Sequence, residues 1–390
     1  MRRRSLGIGI AVVVLGAGLL LIRQGGDRKS GHVERPAGAV TGVLGGAADP
    51  RFTRAYVPRP FTFPRDHGPH PDFRTEWWYF TGNLATAEGR KFGYQLTFFR
   101  LALAPGAPNR RSRWGANQVY MAHFALTDVA GKRFRFEERF SRAALGLAGA
   151  ESSPVRVWLE DWTARQIPER PERFRLAASE ADYGIDLDLA RLTREVLNGE
   201  RGLSRKGPTS GNASYYYSLP RLATTGTVRI GAARFTVAGS SWLDREWSTS
   251  ALEPDQVGWD WFALQLDDGR ELMWYRLRRR DGSIDPFSSG TLVEADGRCR
   301  QLTPAQVVLV PEGSWTSPKT GARYPARWRL QLPAQRIDLA VVPRIADQEL
   351  TGNFPYWEGA VALLGRDGAP KGVGYLEMTG YAGAGTAGGK

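Results

Sequence analysis

The sequence predicts an all-β protein built from two tandem antiparallel β-barrel units, and three observations predict it. Short runs rich in Val, Ile, Tyr, Phe, Trp and Thr recur at 77–84, 92–103, 119–128, 225–230, 235–243, 259–266, 271–277, 337–342 and 359–364. Gly, Asp, Asn and Pro separate them, as antiparallel strands require. Helix signals are few: only 137–147, with Phe140, Ala143, Ala144 and Leu147 at helical spacing, predicts one short helix. Helical residues should therefore stay under about a fifth, well below the usual third. An internal repeat supplies the third observation. Trp78-Tyr79-Phe80, a loop with Gly89-Arg90 and a run from Tyr94 to Arg100 parallel Trp259-Asp260-Trp261-Phe262, the turn Asp267-Asp268-Gly269-Arg270 and a run from Trp274 to Arg278. A further hairpin follows each copy, 125–132 in the first and 291–298 in the second.

Each segment takes its place in that frame. The 390 residues fit two domains and a tail. The first unit is expected at 57–235 and the second at 236–383, with a short tail at 384–390. Residues 24–56, rich in Gly, Ala, Pro and charge without periodicity, read as a flexible linker. At the N-terminus Arg2, Arg3 and Arg4 precede an apolar run over 6–22, then Arg23. No small-residue cleavage site and no lipobox cysteine follow, so 1–23 reads as an uncleaved anchor in the inner membrane, with the body on its outer, periplasmic face. A cleaved signal peptide is the alternative, and it too exports the body.

Charge and cysteine content exclude several classes. The net charge is +13, from 53 basic and 40 acidic residues. The strongest basic run, Arg276-Leu277-Arg278-Arg279-Arg280, reads as a solvated strand end, and no nucleic-acid motif accompanies it. The single cysteine, Cys299, allows no internal disulfide and no Cys-based metal site. No phosphate-binding glycine loop or dinucleotide fingerprint occurs, so no cofactor is expected. Ser210 lacks the strand-to-helix context of a hydrolase nucleophile. The stretch 200–214, with its glycines, Lys206 and Pro208, reads as an exposed loop, with a lid or an entrance as the alternative.

The chemistry-bearing residues cluster in four segments: 66–83, 240–247, 258–262, and 354–359 with 374–381. On a strand, alternate side chains share a face. Trp242, Asp244 and Glu246 thus fall on one face and Leu243, Arg245 and Trp247 on the other; Glu76, Trp78 and Phe80 oppose Trp77 and Tyr79. Carboxyls among indoles are costly unless paired, with Arg245 and Arg74 as nearby candidates, or kept protonated. A protonated carboxyl in an apolar cavity is a general acid. One reading makes Asp244 that acid; the other makes Asp244, Arg245 and Glu246 a buried ion-pair network. His67, His70 and Asp72 look like a metal cluster, but Gly68-Pro69 turns the chain between them and no third ligand is obvious, so hydrogen-bonding roles and no metal are expected. His123 alternates with large apolar groups and reads as a core histidine, with a ligand-facing role as the alternative.

Together the four segments resemble the carotenoid 1,2-hydratase and AttH-type family of lipocalin-like proteins, over about 58–382. The resemblance implies a lipocalin-like fold and an apolar isoprenoid or lipid-like ligand. Its AttH side implies a binding protein that works with an envelope transporter of the ABC type. Its hydratase side implies addition of water to an isolated C=C bond, with a carboxylic acid as proton donor and aromatic faces steadying the carbocation. On that side the catalytic candidates are Asp244, Glu246, Trp247 and Tyr79. The ligand-binding candidates are Glu76, Trp77, Trp78, Trp242, Trp259, Trp261, His123 and Glu358, with Glu377 held in reserve.

Overall fold

The structure, a computed structural model, describes residues 49–106, 112, 114–250 and 252–382. The segments at 1–23 and 24–48 and the tail at 384–390 lie outside the described residues. The first sheet comprises β1 (Thr75–Ala85), β2 (Lys91–Ala102), β3 (Gln118–Asp128), β4 (Arg133–Arg142), β5 (Ala148–Ser152), β6 (Val155–Leu159), β7 (Trp162–Ile167), β8 (Arg170–Ser179), β9 (Tyr183–Arg191), the short β10 (Val196–Leu197) and β11 (Leu203–Arg205), and the long β12 (Ala213–Ile230) and β13 (Ala233–Ser248). The second comprises β14 (Gln256–Leu266), β15 (Glu271–Arg279), β16 (Ser289–Val293), β17 (Cys299–Leu302), β18 (Val308–Thr316), β19 (Arg323–Leu332), β20 (Ile337–Pro343), β21 (Glu349–Leu350), β22 (Tyr356–Leu364) and β23 (Pro370–Met378). The chain passes from one sheet to the other between Ser248 and Gln256. All-β architecture is thus what the structure has, in two curled antiparallel sheets. Among the described residues helix is limited to three 3-10 turns, Arg65–His67, Pro304–Gln306 and Pro333–Gln335.

The two sheets repeat one topology. The first runs β4-β3-β2-β1-β13-β12-β9-β8-β7-β6-β5 and the second β17-β16-β15-β14-β23-β22-β20-β19-β18. In each, the first strand pairs back onto the last, and the hairpins seen as a repeat in the sequence are β1–β2–β3 and β14–β15–β16. The first sheet curls until β6 packs against β2, β3 and β4.

The helix expected at 137–147 is not there. Residues 133–142 form β4, paired along its length with β3. Phe134, Phe136 and Phe140 follow the two-residue period of a strand, and the long partner β3 decides between the two readings. Packing also begins earlier than the linker reading implied, since Phe52 and Ala55 are buried.

Alternation along the strands sorts the apolar residues into three cores. Trp78, Phe80, Leu96, Phe98, Phe124, Tyr217, Leu243 and Trp247 fill the interior of the first sheet. Phe262, Leu264, Trp274, Trp328, Leu330 and Trp357 fill that of the second. The third core lies where the outer faces meet, built from Tyr79, Tyr216, Trp242, Trp261, Met273, Tyr275, Ala360 and Tyr375. Gly93 of β2 allows the close approach: a Cβ there would stand 2.4 Å from the Ala360 Cβ. Polar contacts lock the seam, with Asn83 Nδ2 donating to the Gly374 carbonyl at 2.9 Å and Gln265 Nε2 to the Ser241 carbonyl at 3.0 Å.

Candidate functional site

A cavity of about 160 Å³ opens at this seam. Both interiors are filled by side chains, and the pocket lies between the outer faces. Trp77 and Tyr79 of β1, Asp244 and Glu246 of β13, Trp259 and Trp261 of β14, and Glu377 of β23 line it, with Phe99, His123, Lys206, Tyr216, Leu252, Tyr275 and Tyr356. Strand register assembles the set. Asp244 lies opposite Tyr79, Glu246 opposite Trp77 and Trp261 opposite Glu377, so each pair presents its side chains to one face. Trp77, Phe99, Lys206, Leu252 and Trp259 are partly exposed and form the mouth.

Asp244 is 3 % exposed, and among the described residues no cation pairs with it. Its Oδ1 accepts hydrogen bonds from Ser218 Oγ at 2.6 Å and Trp242 Nε1 at 2.6 Å, and the Tyr216 hydroxyl donates to Oδ2. Trp261 Nε1 in turn donates to the Tyr216 oxygen at 3.1 Å. Burial pushes the Asp244 carboxyl up to about 7, against the pull of those three donors, and the nearby Glu246 adds repulsion. Trp242 thus orients the carboxyl, and Tyr79 lies opposite Asp244 on β1. Glu246 differs: Ser214 donates to it and the Lys206 ammonium stands 3.1 Å away. Lys206 also caps the Tyr275 ring at 4.0 Å.

A second carboxyl pair joins Glu377, half-buried on the pocket wall, with the buried Glu358. Glu358 and Glu377 are opposite each other on β22 and β23. Burial pushes Glu377 up to about 8, against one hydrogen bond from Trp259 Nε1 at 2.8 Å, with Asp244 and Glu246 repelling its charge. Burial and the charge of Glu377 hold Glu358 well above the carboxylate range. The Tyr79 hydroxyl donates to Glu358.

Three candidates fall elsewhere. Glu76, Trp78 and Trp247 point into the interior of the first sheet, because they occupy the other parity of β1 and β13. Glu76 is the centre of the buried charge network that the sequence had suggested around Asp244. Arg100 Nε reaches it at 2.5 Å, Arg245 Nη2 at 3.0 Å and His70 Nδ1 at 3.1 Å. Arg245 is therefore the partner of Glu76, not of Asp244, and stacks over Trp78 at 3.9 Å. Trp247 lies flat on His70 with ring centres 3.7 Å apart. His67 contacts the Tyr217 hydroxyl at 2.5 Å, and burial, with Arg245 nearby, lowers it to about 3. Both histidines thus serve hydrogen-bonding roles.

Sequence reasoning missed Lys206, Ser218, Tyr216 and Tyr275. The loop at 200–214 is not simply exposed: β11 within it pairs with β12 and brings half-buried Lys206 to the pocket. The run Tyr215-Tyr216-Tyr217 carried the available signal, since alternation must send one of the three to the opposite face. The basic run at 276–280 is largely neutralised within the chain, with Arg276 at 2.8 Å from Asp260 and Arg279 at 2.9 Å from Asp285.

A candidate AttH from Nitrosomonas europaea is 36% identical, with a TM-score of 0.77 over 85% of this chain and 100% of that one. Kievitone hydratase from Nectria haematococca shares the fold at 14% identity, with a TM-score of 0.61 over 84% of this chain and 96% of that one. No curated protein matches the chain. The model of the AttH-like family matches residues 54–381, nearly the whole described body, and the chain belongs to that family.

Proposed function

We propose that the pocket binds the unsaturated end of an apolar, isoprenoid-like molecule and adds water across an isolated C=C bond, with Asp244 as the general acid. The observation that carries this reading is a buried carboxyl, unpaired with any cation among the described residues, held by Tyr216, Ser218 and Trp242 against a wall of indoles. An acid near 7 is half protonated at neutral pH, the poise that proton transfer favours. In the step proposed, Asp244 gives its proton to one alkene carbon. The carbocation forms on the other, facing Trp77, Trp259 and Trp261. Water adds there and loses a proton to the ion-paired Glu246 carboxylate, so the bound molecule gains one water. The cavity of about 160 Å³ is near the size that holds a benzene-like guest. A long polyene would therefore enter by one end, its remainder leaving past Leu252 and Trp259.

A binding role alone is the second reading, favoured by the largely aromatic lining. On either reading we place the pocket outside the cytoplasm, on the strength of Arg2 to Arg4 and the apolar run at 6–22. Asp244→Asn separates the two. Turnover of short trisubstituted alkenes should fall by roughly 10²–10⁴-fold. Affinity, read from quenching of the pocket tryptophans, should hold. Binding without turnover in the unaltered protein would leave the carrier reading.

A further inference from the structure

The end of the first sheet that carries the pocket mouth also carries an apolar hollow of about 350 Å³. Trp114, Phe140, Leu145 and Leu147 line it and are between 42 % and 64 % exposed. Strand register ties the hollow to the pocket. Trp77 at the mouth lies opposite Phe99, Phe99 opposite Met121 and Met121 opposite Phe140, so the four side chains cross β1 to β4 on one face. Three strand spacings, about 14 Å, separate the first from the last. Thr75 of the pocket, Leu101, Val119 and Arg142 form the next row on that face. Large apolar groups left together in water mark a surface that meets an apolar partner.

Two observations point to lipid as that partner. The first is charge. Arg142 is the charged side chain on the wall of the hollow, and among the described residues no carboxylate pairs with it. In the sequence, Arg110-Arg111-Ser112-Arg113 directly precedes Trp114. Basic groups beside an exposed indole and leucines match the anionic headgroups and the acyl boundary of a bilayer. The second is where the chain enters. The Thr53 N–H donates to the Asp72 carbonyl at 2.9 Å, and the Gly106 N–H to the adjacent Pro71 carbonyl at 3.2 Å. The segment that follows the apolar run at 6–22 thus enters the body beside the connection from β2 to β3, which carries Trp114. We propose that this end of the first sheet docks on an anionic lipid surface, with Trp114, Phe140, Leu145 and Leu147 at the acyl boundary and Arg142 among the headgroup phosphates. A body docked this way holds the mouth within roughly three strand spacings of the lipid, which shortens the passage of an apolar molecule through water. The docking holds whether the pocket catalyses or only carries its ligand.

The test uses the full chain, with a thiol-reactive fluorophore attached to Leu147→Cys in a Cys299→Ser background. The native Cys299, exposed on β17, carries the same label in the unaltered chain as the control. Register sets it far from the mouth: Gln265, at the other end of β14 from Trp259, lies opposite Glu271, Glu271 opposite Val293 and Val293 opposite Cys299. Phosphatidylcholine vesicles with about one-third phosphatidylglycerol and a nitroxide-labelled lipid should quench the Leu147 label and leave the Cys299 label as bright as in water. Arg142→Glu should lower the ratio of quenched to unquenched Leu147 label by roughly fivefold or more, and so should phosphatidylcholine alone. Absence of quenching at Leu147 on the anionic vesicles, or equal quenching at the two positions, would overturn the docking. A protein seated on the hollow in place of lipid would give the first of these results, since the vesicles hold no protein. Should Leu147→Cys fail to fold, Trp114→Cys, also exposed on the hollow, carries the test.

Discussion

Glu76 and Asp244 are both buried carboxyls on paired strands, and their surroundings give them opposite chemistry. Glu76 has two guanidiniums and an imidazole on it and is held below the usual range; Asp244 has hydroxyls and indoles and is held above it. Glu76→Gln strands Arg100 and Arg245, both fully buried, and should cost about 3–5 kcal/mol in chemical denaturation. Asp244→Asn strands no cation among the described residues. Its signature lies in the pH dependence of stability. Between pH 3.8, the ordinary value, and about 7 the folded chain holds a proton on Asp244 that the unfolded chain has lost. Stability from this group is thus full below that window and falls as pH rises through it, by on the order of 4 kcal/mol at most. Glu377, pushed up to about 8, adds a loss of the same sign at higher pH. Glu76 has the reverse sign, its contribution disappearing as pH falls. Denaturation midpoints measured across this range should decline less steeply in Asp244→Asn than in the unaltered chain, and an identical decline would show that Asp244 does not titrate there.

At the scale of the element, the strands with clean alternation were legible and those masked by charge were not. The runs at 77–84 and 259–266 announce β1 and β14. β8, with Arg170, Glu172, Arg173 and Arg175, hides its inward Phe174 and Leu176 among solvent-facing charges. For 240–247, two-residue parity correctly grouped Trp242, Asp244 and Glu246. It could not name what lies opposite, because register is a tertiary property fixed by pairing Tyr79 with Asp244. That is why Arg245, adjacent in sequence, looked like a partner of Asp244 while its charge serves Glu76. The site was therefore half legible: its acid and indoles could be read, whereas Lys206 and Tyr216 came from segments whose placement depends on the whole sheet. Gly93 tests how tightly the two outer faces are set. Gly93→Ala places a methyl against Ala360 and should cost about 1–3 kcal/mol, with Ala360→Gly restoring part of it in the double variant. Additive losses would mean that the faces can separate without penalty.

For the whole molecule, the seam between the sheets places two demands on one surface: it must hold them together and leave a cavity. The aromatic core around Tyr79, Trp242 and Trp261 meets the first, and the mouth near Leu252 and Trp259 the second. The chain entering the body closes over the end of β13 beside that mouth. Thr53 accepts from Thr249 Oγ1 at 2.5 Å through its carbonyl, and its N–H donates to the Asp72 carbonyl at 2.9 Å. Val57 contributes its carbonyl to the Tyr215 hydroxyl at 2.8 Å. Phe52 and Ala55 are buried between these bonds. Two truncations should therefore part company. A chain beginning at Arg51 keeps every one of these contacts and should be soluble, with the circular dichroism and melting temperature of the full-length protein. A chain beginning at Val57 loses Phe52, whose burial alone contributes about 1.5–3 kcal/mol, and leaves Thr249 without its acceptor. It should melt at a lower temperature and bind a short trisubstituted alkene more weakly, because Thr249 and Ser250 lead directly into the rim. Equal melting of the two truncations would show that the entering segment merely lies on the body, and aggregation of the longer one would show that residues before Arg51 take part in folding.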